Sequence, residues 1–368
     1  MKCEYFGKCG SCTLYEMDYE TQLNFKTDKI KKLFEIKKID VISSKSEHFR
    51  SRAEFRIYHD YEKKSISYAM FQRGRKRVLP IKECPIVSKP IDRMMRPLLE
   101  AVSKIEILSH RLFSVEFLSD DENELLATLI YHKKIDSVWE NEAKKIARKL
   151  KIDLIGRSRG VKKIVTKDFV TQKLIISGKK YIFKLYESGF SQPNSYVNQK
   201  MIEWVKSEIE PTDTDLLELY CGHGNFTIPL AESFRAVLAT EISKSSIKAA
   251  KENALLNNTQ NISFVRLSAK ELTEAITKKR EFKRLQHINL DAYEISYVFV
   301  DPPRAGLDEA TLNLIQTYEN IIYISCNPIT LKRDLEILKR RFMIKRFAIF
   351  DQFAYTQHIE CGVFLEKS

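Results

Sequence analysis

The feature that most constrains the fold is a series of short apolar runs that begins after residue 186. Stretches with helical spacing lie between most of these runs. Strands that are apolar along their whole length are typical of a parallel sheet covered by helices on both faces. The pattern predicts an α/β, doubly wound parallel sheet for the second half of the chain, with strands at 216–220, 237–240, 262–265, 297–300, 321–324, 347–350 and 363–365.

The first half of the chain has a different rhythm. Apolar side chains at helical spacing predict a helix over 13–38. From about 45 to 185, apolar and polar residues alternate as they do in half-buried strands. We therefore expect three segments: a cysteine-bearing segment with a helix at 1–44, a basic, mixed and mainly β domain at 45–185, and the α/β domain at 186–368.

The formal net charge of +13 is concentrated in the first half. Residues 1–200 contain 41 Lys and Arg against 26 Asp and Glu, whereas residues 201–368 contain 21 against 23. The cluster Arg73–Arg77 is the most basic stretch. A basic module beside a neutral one is typical of a protein that binds phosphates with one part and carries out chemistry with the other. The charge favours a nucleic-acid partner, with a surface that only keeps the protein in solution as the alternative.

Several classes of protein are excluded by what the sequence lacks. No apolar run approaches the ~20 residues that a membrane-spanning helix needs, and the first residues lack the apolar core of a signal peptide. Seven cysteines in 368 residues are few and odd in number, so a disulfide framework is not expected. We expect a cytoplasmic protein without membrane contact, and no obligate protein partner is implied.

A glycine turn follows the first predicted strand of the second half. Gly222 and Gly224 let the backbone approach a ligand, and Glu241, which ends the next strand, can accept hydrogen bonds from ribose hydroxyls. Thr227 stands where a dinucleotide-binding turn has its third glycine, which favours a smaller nucleoside such as S-adenosylmethionine. A tight turn without a ligand is the alternative. Because ligands of such sheets lie beyond the carboxyl ends of the strands, we expect a site formed by Tyr220, Asn225, Glu241 and Asp301.

Two further strand ends carry reactive groups. Prolines at 302 and 303 end a strand and leave Asp301 and Arg304 at the rim of the sheet. Cys326 follows the next strand and precedes a predicted helix, an environment that lowers a thiol pKa and favours a nucleophile. Glu360 precedes the last apolar run and is a candidate general base if it packs near Cys326. An inert thiol in the core and a solvated carboxylate are the alternatives.

Five motifs, in chain order, resemble those of the RNA uracil-C5 methyltransferase family. They are Phe190-Ser191-Gln192-Pro193-Asn194, Leu216-Leu217-Glu218-Leu219-Tyr220-Cys221-Gly222, Asp301-Pro302-Pro303-Arg304, Ser325-Cys326-Asn327-Pro328 and His358-Ile359-Glu360-Cys361-Gly362. Two segments of the first half, Arg52-Ala53-Glu54-Phe55-Arg56 and Tyr131-His132-Lys133-Lys134, resemble the tRNA branch, which makes ribothymidine at uridine 54 of the T-loop.

The resemblance implies a Rossmann-like class I methyltransferase domain, S-adenosyl-L-methionine as methyl donor and the T-arm of tRNA as partner, together with other RNAs that fold like a T-loop. By the resemblance, Cys326 adds to C6 of uracil so that C5 can attack the methyl group, and Glu360 then removes the C5 proton. Arg304 supports the thiolate or the base carbonyl. The family's methyl-donor positions are matched by Gln192, Tyr220, Asn225, Glu241 and Asp301.

Five residues of the first half are candidates for RNA contacts. Phe113 and His132 match positions at which the tRNA branch contacts the RNA loop, and both side-chain types can stack on unpaired bases. Arg50, Arg52 and Arg56 are candidate phosphate ligands. Phe113 also fits the alternation of a strand, so a place in the core is the alternative.

The cysteines at the start of the chain complicate the choice of branch. Cys3, Cys9 and Cys12, with Cys84 downstream, have the spacing seen in the 23S ribosomal-RNA branch, where four cysteines hold a [4Fe–4S] cluster. Four thiolates suit iron–sulfur or zinc, and free thiols at a frayed terminus are the alternative. No separate β-barrel precedes Cys3, which favours tRNA over ribosomal RNA as the substrate.

Two other classes of function stay open at this point. A non-catalytic RNA-binding protein would explain the charge but would leave Cys326 and Glu360 without a role. An amino-group methyltransferase could use the Asp-Pro-Pro loop but needs no nucleophilic cysteine.

Overall fold

A computed structural model describes residues 1–75 and 77–368, which form two large sheets and a separate hairpin. None of the helices in these two ranges is both long and apolar enough to cross a membrane. The helices are α1 (Tyr19–Phe34), α2 (Lys89–Ser103), α3 (Glu106–Ser109), α4 (Ser137–Leu150), α5 (Ser195–Lys206), α6 (Thr227–Leu230), α7 (Lys244–Leu256), α8 (Ala269–Ile276), α9 (Glu309–Ile315) and α10 (Pro328–Leu338). The strands are β1 (Asp40–Ile42), β2 (Arg52–Asp60), β3 (Ser65–Phe71), β4 (Val78–Ile81), β5 (Leu112–Ser119), β6 (Leu125–Tyr131), β7 (Asp153–Ser158), β8 (Val161–Ile164), β9 (Phe169–Ile176), β10 (Lys179–Tyr186), β11 (Asp215–Leu219), β12 (Ala236–Thr240), β13 (Ile262–Val265), β14 (Ile295–Val300), β15 (Asn320–Ser325), β16 (Phe342–Phe350) and β17 (Glu360–Lys367).

The second-half sheet has the order β1-β16-β17-β15-β14-β11-β12-β13. Its centre, from β15 to β13, is parallel, and the α/β class is confirmed. The expectation of a wholly parallel sheet is wrong for β17, which runs antiparallel to both β15 and β16. The reason is the connection: a loop of residues 351–359, and not a helix, joins β16 to β17, so the chain reverses its direction.

The order of the sheet reverses between β11 and β14. From β11 the chain adds β12 and β13 on one side, and it then crosses to add β14 and β15 on the other. The helices that follow these strands diverge at this point, which leaves a crevice at the carboxyl ends of the strands.

The first-half sheet has the order β4-β3-β2-β5-β6-β7-β8 and is antiparallel except for the pair β6 and β7. The helix α4 makes the crossover between those two parallel strands, as a parallel connection requires. Its Trp139 is 1% exposed and packs directly over Gly156 of β7. Phe55 and Phe117 continue the same core.

The hairpin of β9 and β10 packs against α5 and α7 of the second half. Asn253 Oδ1 accepts a hydrogen bond from the backbone N–H of Lys184 at 2.8 Å, and Asn257 Oδ1 accepts one from Ile182 at 2.8 Å. Phe183 of the hairpin belongs to the same buried cluster as the second-half sheet. The division of the chain into three segments stays a prediction.

The predicted helix at 13–38 is shorter in the structure, where α1 covers Tyr19–Phe34. Asp18 caps its start by accepting a hydrogen bond from the N–H of Thr21 at 2.7 Å, and Glu35 ends it in the left-handed region with φ of 56°. The chain then forms β1, which pairs in parallel with β16. The first segment is therefore joined to the edge of the second-half sheet.

Candidate active site

One cavity of about 760 Å³ lies at the carboxyl ends of the parallel strands, where the order of the sheet reverses. Every residue to which the sequence assigns methyl-donor binding or catalysis lines this cavity. These residues are Gln192, Tyr220, Asn225, Glu241, Asp301, Arg304, Cys326 and Glu360. The topology of the sheet thus brings together residues that lie as far apart in the sequence as Gln192 and Glu360.

The turn after β11 is shaped for a close approach of backbone to ligand. Tyr220, Gly222 and Gly224 have φ of 64°, 55° and 86°, so three residues of the turn lie in the left-handed region. A Cβ on Gly224 would lie 3.0 Å from the side chain of Ile228. Glu241 closes the turn, because its Oε2 accepts a hydrogen bond from the N–H of Gly222 at 3.3 Å and its Oε1 accepts one from Ser243 at 2.7 Å.

Two amide side chains of the cavity are held by partners that the sequence did not single out. Asn225 and Asn198 of α5 exchange a pair of hydrogen bonds, each of 2.9 Å. Gln192 accepts a hydrogen bond from Gln352 Nε2 at 3.3 Å. Asn198 and Gln352 lie outside the glycine turn and the strand ends, so no local sequence signal marked them. Their hydrogen bonds hold the amides of Gln192 and Asn225, which line the cavity, in fixed orientations.

Three carboxyl groups of the cavity have pKa values above the ordinary range. Burial raises the pKa of Glu360 to about 8, and the nearby Asp301 adds to this rise. Burial alone raises the pKa of Asp301 to about 7. Burial also raises the pKa of Glu218, in β11, to about 8. Glu218 had no role predicted from the sequence, and its Oε2 has no hydrogen-bond partner among the residues that the structure describes.

Cys326 lies half-buried between β15 and α10. The expectation that its surroundings lower the thiol pKa is wrong: burial, together with the nearby Glu360 and Asp301, raises the pKa of Cys326 to about 11. Arg304 opposes the rise. The sequence shows that a helix start follows Cys326, but it does not show that two carboxyl groups from other strands face the thiol.

Strand pairing brings the thiol and Glu360 together. β15 and β17 are antiparallel neighbours, and Ser325 pairs with Cys361. Cys326 follows Ser325 and Glu360 precedes Cys361, so the two residues lie at the same end of these adjacent strands. The spacing of 34 residues along the chain could not have shown this.

Arg304 is held by hydrogen bonds to two loops, the one that precedes α10 and the one that precedes β17. Its Nη2 donates a hydrogen bond to His358 Nδ1 at 2.7 Å. Its backbone oxygen accepts one from Asn327 Nδ2 at 2.9 Å. Asn327 also caps α10 by accepting from the N–H of Ile329 at 3.1 Å. The guanidinium is thus held beside Cys326 and Glu360, where it lowers the pKa of both groups.

The aromatic candidates for RNA contact form a stack on the first-half sheet. The rings of Phe113 and His132 lie 4.0 Å apart between centroids at an interplanar angle of 22°. The exposed Arg56 lies 4.9 Å above the ring of Phe113. Phe113 is half-buried, so it is not a core residue.

The other basic candidates have internal partners. The guanidinium of Arg52 donates to the backbone oxygens of Glu187 and Gly189. Arg50 Nε donates to the backbone oxygen of Arg52 at 2.8 Å. In the cluster Arg73–Arg77, Lys76 lies outside the described residues.

The four cysteines of the first half line a second cavity, of about 310 Å³. Burial and the neighbouring thiols raise the pKa of Cys12 to about 12, and burial raises that of Cys84 to about 12. Four thiols have the chemistry of an iron–sulfur or zinc site, but within residues 1–75 and 77–368 no group of three or more His, Cys, Asp or Glu side chains is arranged to hold a metal ion. A cluster at Cys3, Cys9, Cys12 and Cys84 stays a prediction.

Comparison with known proteins places the chain in a family. The family model described as tRNA (Uracil-5-)-methyltransferase matches residues 18–368. The chain is 49% identical over 367 residues to a tRNA/tmRNA (uracil-C(5))-methyltransferase of Nitratiruptor sp., with 100% of both chains covered. It is 49% identical over 373 residues to the protein of that name from Aliarcobacter butzleri, with 100% and 99% covered.

A solved structure shares the fold. The Pyrococcus abyssi tRNA (uracil-54, C5)-methyltransferase, crystallised in complex with S-adenosyl-L-homocysteine, superposes with a TM-score of 0.73 at 23% identity, over 96% of this chain and 85% of that one. The two proteins thus share a fold over nearly the whole of this chain. With the family model matching residues 18–368, the chain belongs to the tRNA (uracil-5-)-methyltransferase family.

Proposed function

We propose that this protein methylates C5 of uridine 54 in the T-loop of tRNA, with S-adenosyl-L-methionine as the methyl donor, and so makes ribothymidine. One observation carries the proposal most directly: Cys326 and Glu360 lie at the same end of adjacent strands and line the cavity that the glycine turn also lines. A nucleophile, a base and a nucleoside-binding turn in one cavity are the set that this reaction needs. A non-catalytic RNA-binding protein or an amino-group methyltransferase would not need the thiol.

The methyl donor occupies the part of the cavity formed by Gln192, Tyr220, Asn225, Glu241 and Asp301. Glu241 directly follows β12 and accepts hydrogen bonds from the ribose hydroxyls, as an acid at that position does in sheets of this type. The donor supplies a methyl group on a sulfonium, which is electrophilic enough for C5 once uracil has been activated. The fixed amides of Gln192 and Asn225 orient it towards Cys326.

The first step forms a bond between Cys326 Sγ and C6 of the uracil ring. The electrons of the C5–C6 double bond move to C5 and O4, which turns the base into an enolate. C5 then attacks the methyl carbon, the methyl–sulfur bond of the donor breaks, and its electron pair stays on the sulfur, which becomes a neutral thioether. Arg304 favours the thiolate, because a cation beside the sulfur lowers its pKa.

The second step restores the aromatic base. Glu360, as carboxylate, takes the proton from C5. The electrons of the C5–H bond re-form the C5–C6 double bond and expel Cys326 as thiolate. The pKa of Glu360, raised to about 8, suits a group that must accept a proton near neutral pH.

The stack of Phe113, His132 and Arg56 is the proposed surface for the RNA loop. Aromatic rings and guanidinium planes bind unpaired bases by stacking, and RNA loops offer such bases. The uridine must leave its own stack to reach Cys326, so the RNA is expected to flip it out.

The test is methylation of total RNA from cells that lack the protein, followed by mapping of the methylated uridine. Methylation at position 54 of tRNA supports the proposal. Methylation in 23S ribosomal RNA would replace it with the ribosomal alternative. Cys326→Ala should abolish methylation while S-adenosylmethionine binding is retained. Normal turnover by this variant would reject the thiol mechanism.

A further inference from the structure

The loop that leads into Glu360 is held by a helix from the other end of the chain. This loop, residues 351–359, joins β16 to β17 and is here named the base loop. It packs against α1, which is more than 300 residues earlier in the sequence. The contacts between α1 and the base loop belong neither to the methyl-donor turn nor to the RNA stack.

A buried ion pair makes the first of these contacts. Lys26 Nζ lies 2.6 Å from Asp351 Oδ1, and the two side chains are 2% and 1% exposed. The same ammonium group donates to the backbone oxygen of Phe353 at 3.1 Å. A buried pair stabilises a fold weakly, because removing both charges from water costs much of what their attraction returns. Its geometric effect is clearer: Lys26 fixes two points of the base loop.

Two backbone contacts fix a third point. The N–H of Tyr355 donates to Gln22 Oε1 at 2.6 Å, and the oxygen of Tyr355 accepts from the N–H of Leu14 at 3.0 Å. Tyr355 is 1% exposed and has φ of 64°, in the left-handed region that a tyrosine adopts only when its surroundings hold it there. Gln22 and Leu14 supply that hold.

The far end of the base loop meets the catalytic groups. His358 accepts the hydrogen bond from Arg304, and Glu360 follows two residues later. Lys26 and Ile30 of α1 line a cavity of about 470 Å³ whose other walls include Cys326 and His358. The helix therefore lies against the same side of the site as the nucleophile.

We propose that Gln22 and Lys26 are positioning residues, which hold the base loop so that Glu360 faces the C5 proton of the adduct. This inference rests on the proposed function. Cys326 lies between β15 and α10 and the glycine turn follows β11, so neither is part of the base loop. The loop reaches the methyl-donor residues at one point, where Gln352 donates to Gln192. Loosening the base loop should therefore slow proton removal and the release of Cys326 more than the first addition. A displacement of about 1 Å at a catalytic group can cost ~10²-fold in rate.

The experiment compares Gln22→Leu with Gln22→Glu. Leucine removes the acceptor for the N–H of Tyr355, whereas glutamate keeps a side-chain oxygen at that point. In single-turnover reactions with uridine-containing tRNA, we expect Gln22→Leu to accumulate a covalent RNA–protein adduct on denaturing gels and to release methylated tRNA roughly 10²-fold more slowly. Gln22→Glu should behave close to wild type. Lys26→Met should show the same accumulation as Gln22→Leu.

Arg235→Met is the matched control. Arg235 pairs with the buried Asp215 at 2.6 Å, at the amino end of β11, which is the end opposite to the cavity. Its loss should lower the melting temperature without changing the ratio of adduct to product.

The inference fails if folded Gln22→Leu and Lys26→Met release product without excess adduct, or if adduct formation falls as much as product release. It also fails if Arg235→Met accumulates as much adduct as they do. Failure of the proposed function is a different result: the wild-type protein would then form no adduct with 5-fluorouridine-containing tRNA.

Discussion

At the scale of single residues, the site combines a thiol with three carboxyl groups that all hold protons more tightly than usual. The pKa of Cys326 is about 11 and that of Glu360 about 8, because both groups are shielded from water and face other acids. Arg304 is the cation that opposes this shift. The proposed reaction needs both groups deprotonated, so their proton affinities set its pH dependence.

Glu360→Gln should stop the reaction after methyl transfer. Glutamine cannot accept the C5 proton, so the methylated adduct should persist and appear as an RNA–protein band that resists denaturant. Loss of a general base slows its step by roughly 10²–10⁴-fold. Full turnover without an adduct would show that another group removes the proton.

Arg304→Gln should move the pH profile of kcat/KM to higher pH. In the wild-type protein, kcat/KM is expected to rise with pH towards a pKa of about 11 as Cys326 forms the thiolate that precedes methyl transfer. Arg304 lowers the pKa of both Glu360 and Cys326, so its removal raises both values and shifts the rising limb towards alkaline pH. Arg304→Lys, which keeps a cation, should shift it less. If the rising limb of the pH profile does not move, Arg304 does not influence the pKa values of the site.

At the scale of elements, the contact between α4 and β7 leaves no room for a side chain. A Cβ on Gly156 would lie 2.2 Å from the ring of Trp139. Gly156→Ala should therefore lower the free energy of unfolding by about 1–3 kcal/mol, measured by urea denaturation, because the ring must move in a packed core. Gly189→Ala is the control, since its nearest neighbour is the oxygen of Tyr186 at 3.5 Å. Equal losses in both variants would contradict this account.

Local pattern was enough to predict the central strands of the second half, because buried parallel strands leave continuous apolar runs such as 216–220. The same pattern could not show that β1 pairs with β16, because an edge strand of three residues is too short for an alternation of apolar and polar residues to be recognised. Nor could it show that β17 runs between β15 and β16. That pairing is what places Glu360 beside Cys326. The thiol pKa was predicted in the wrong direction because the sequence shows neither the burial of Cys326 nor the carboxyl groups that face it. Residue types in the site were readable from motifs, whereas their mutual electrostatics depended on tertiary pairing.

At the scale of the whole molecule, the buried acids should make the protein less stable as pH rises. Glu218 and Glu360 have ordinary pKa values of 4.5, and folding raises each to about 8. Between these values the unfolded chain binds fewer protons than the folded one, so the free energy of unfolding falls with increasing pH. Glu360→Gln should therefore raise the melting temperature more at pH 8 than at pH 5. A gain that is equal at both values would mean that Glu360 ionises in the fold as it does in water.

The pairing of β1 with β16 and the packing of α1 against the base loop have a consequence for the order of synthesis. Residues 22–42 leave the ribosome long before residues 342–360, so the helix and the edge strand made first have no docking partner until translation is nearly over. The residues of the first-half sheet are synthesised early, whereas Glu360 is added only when synthesis is nearly over. Chains released before residue 342 would thus contain the first-half sheet but lack β16, β17 and Glu360.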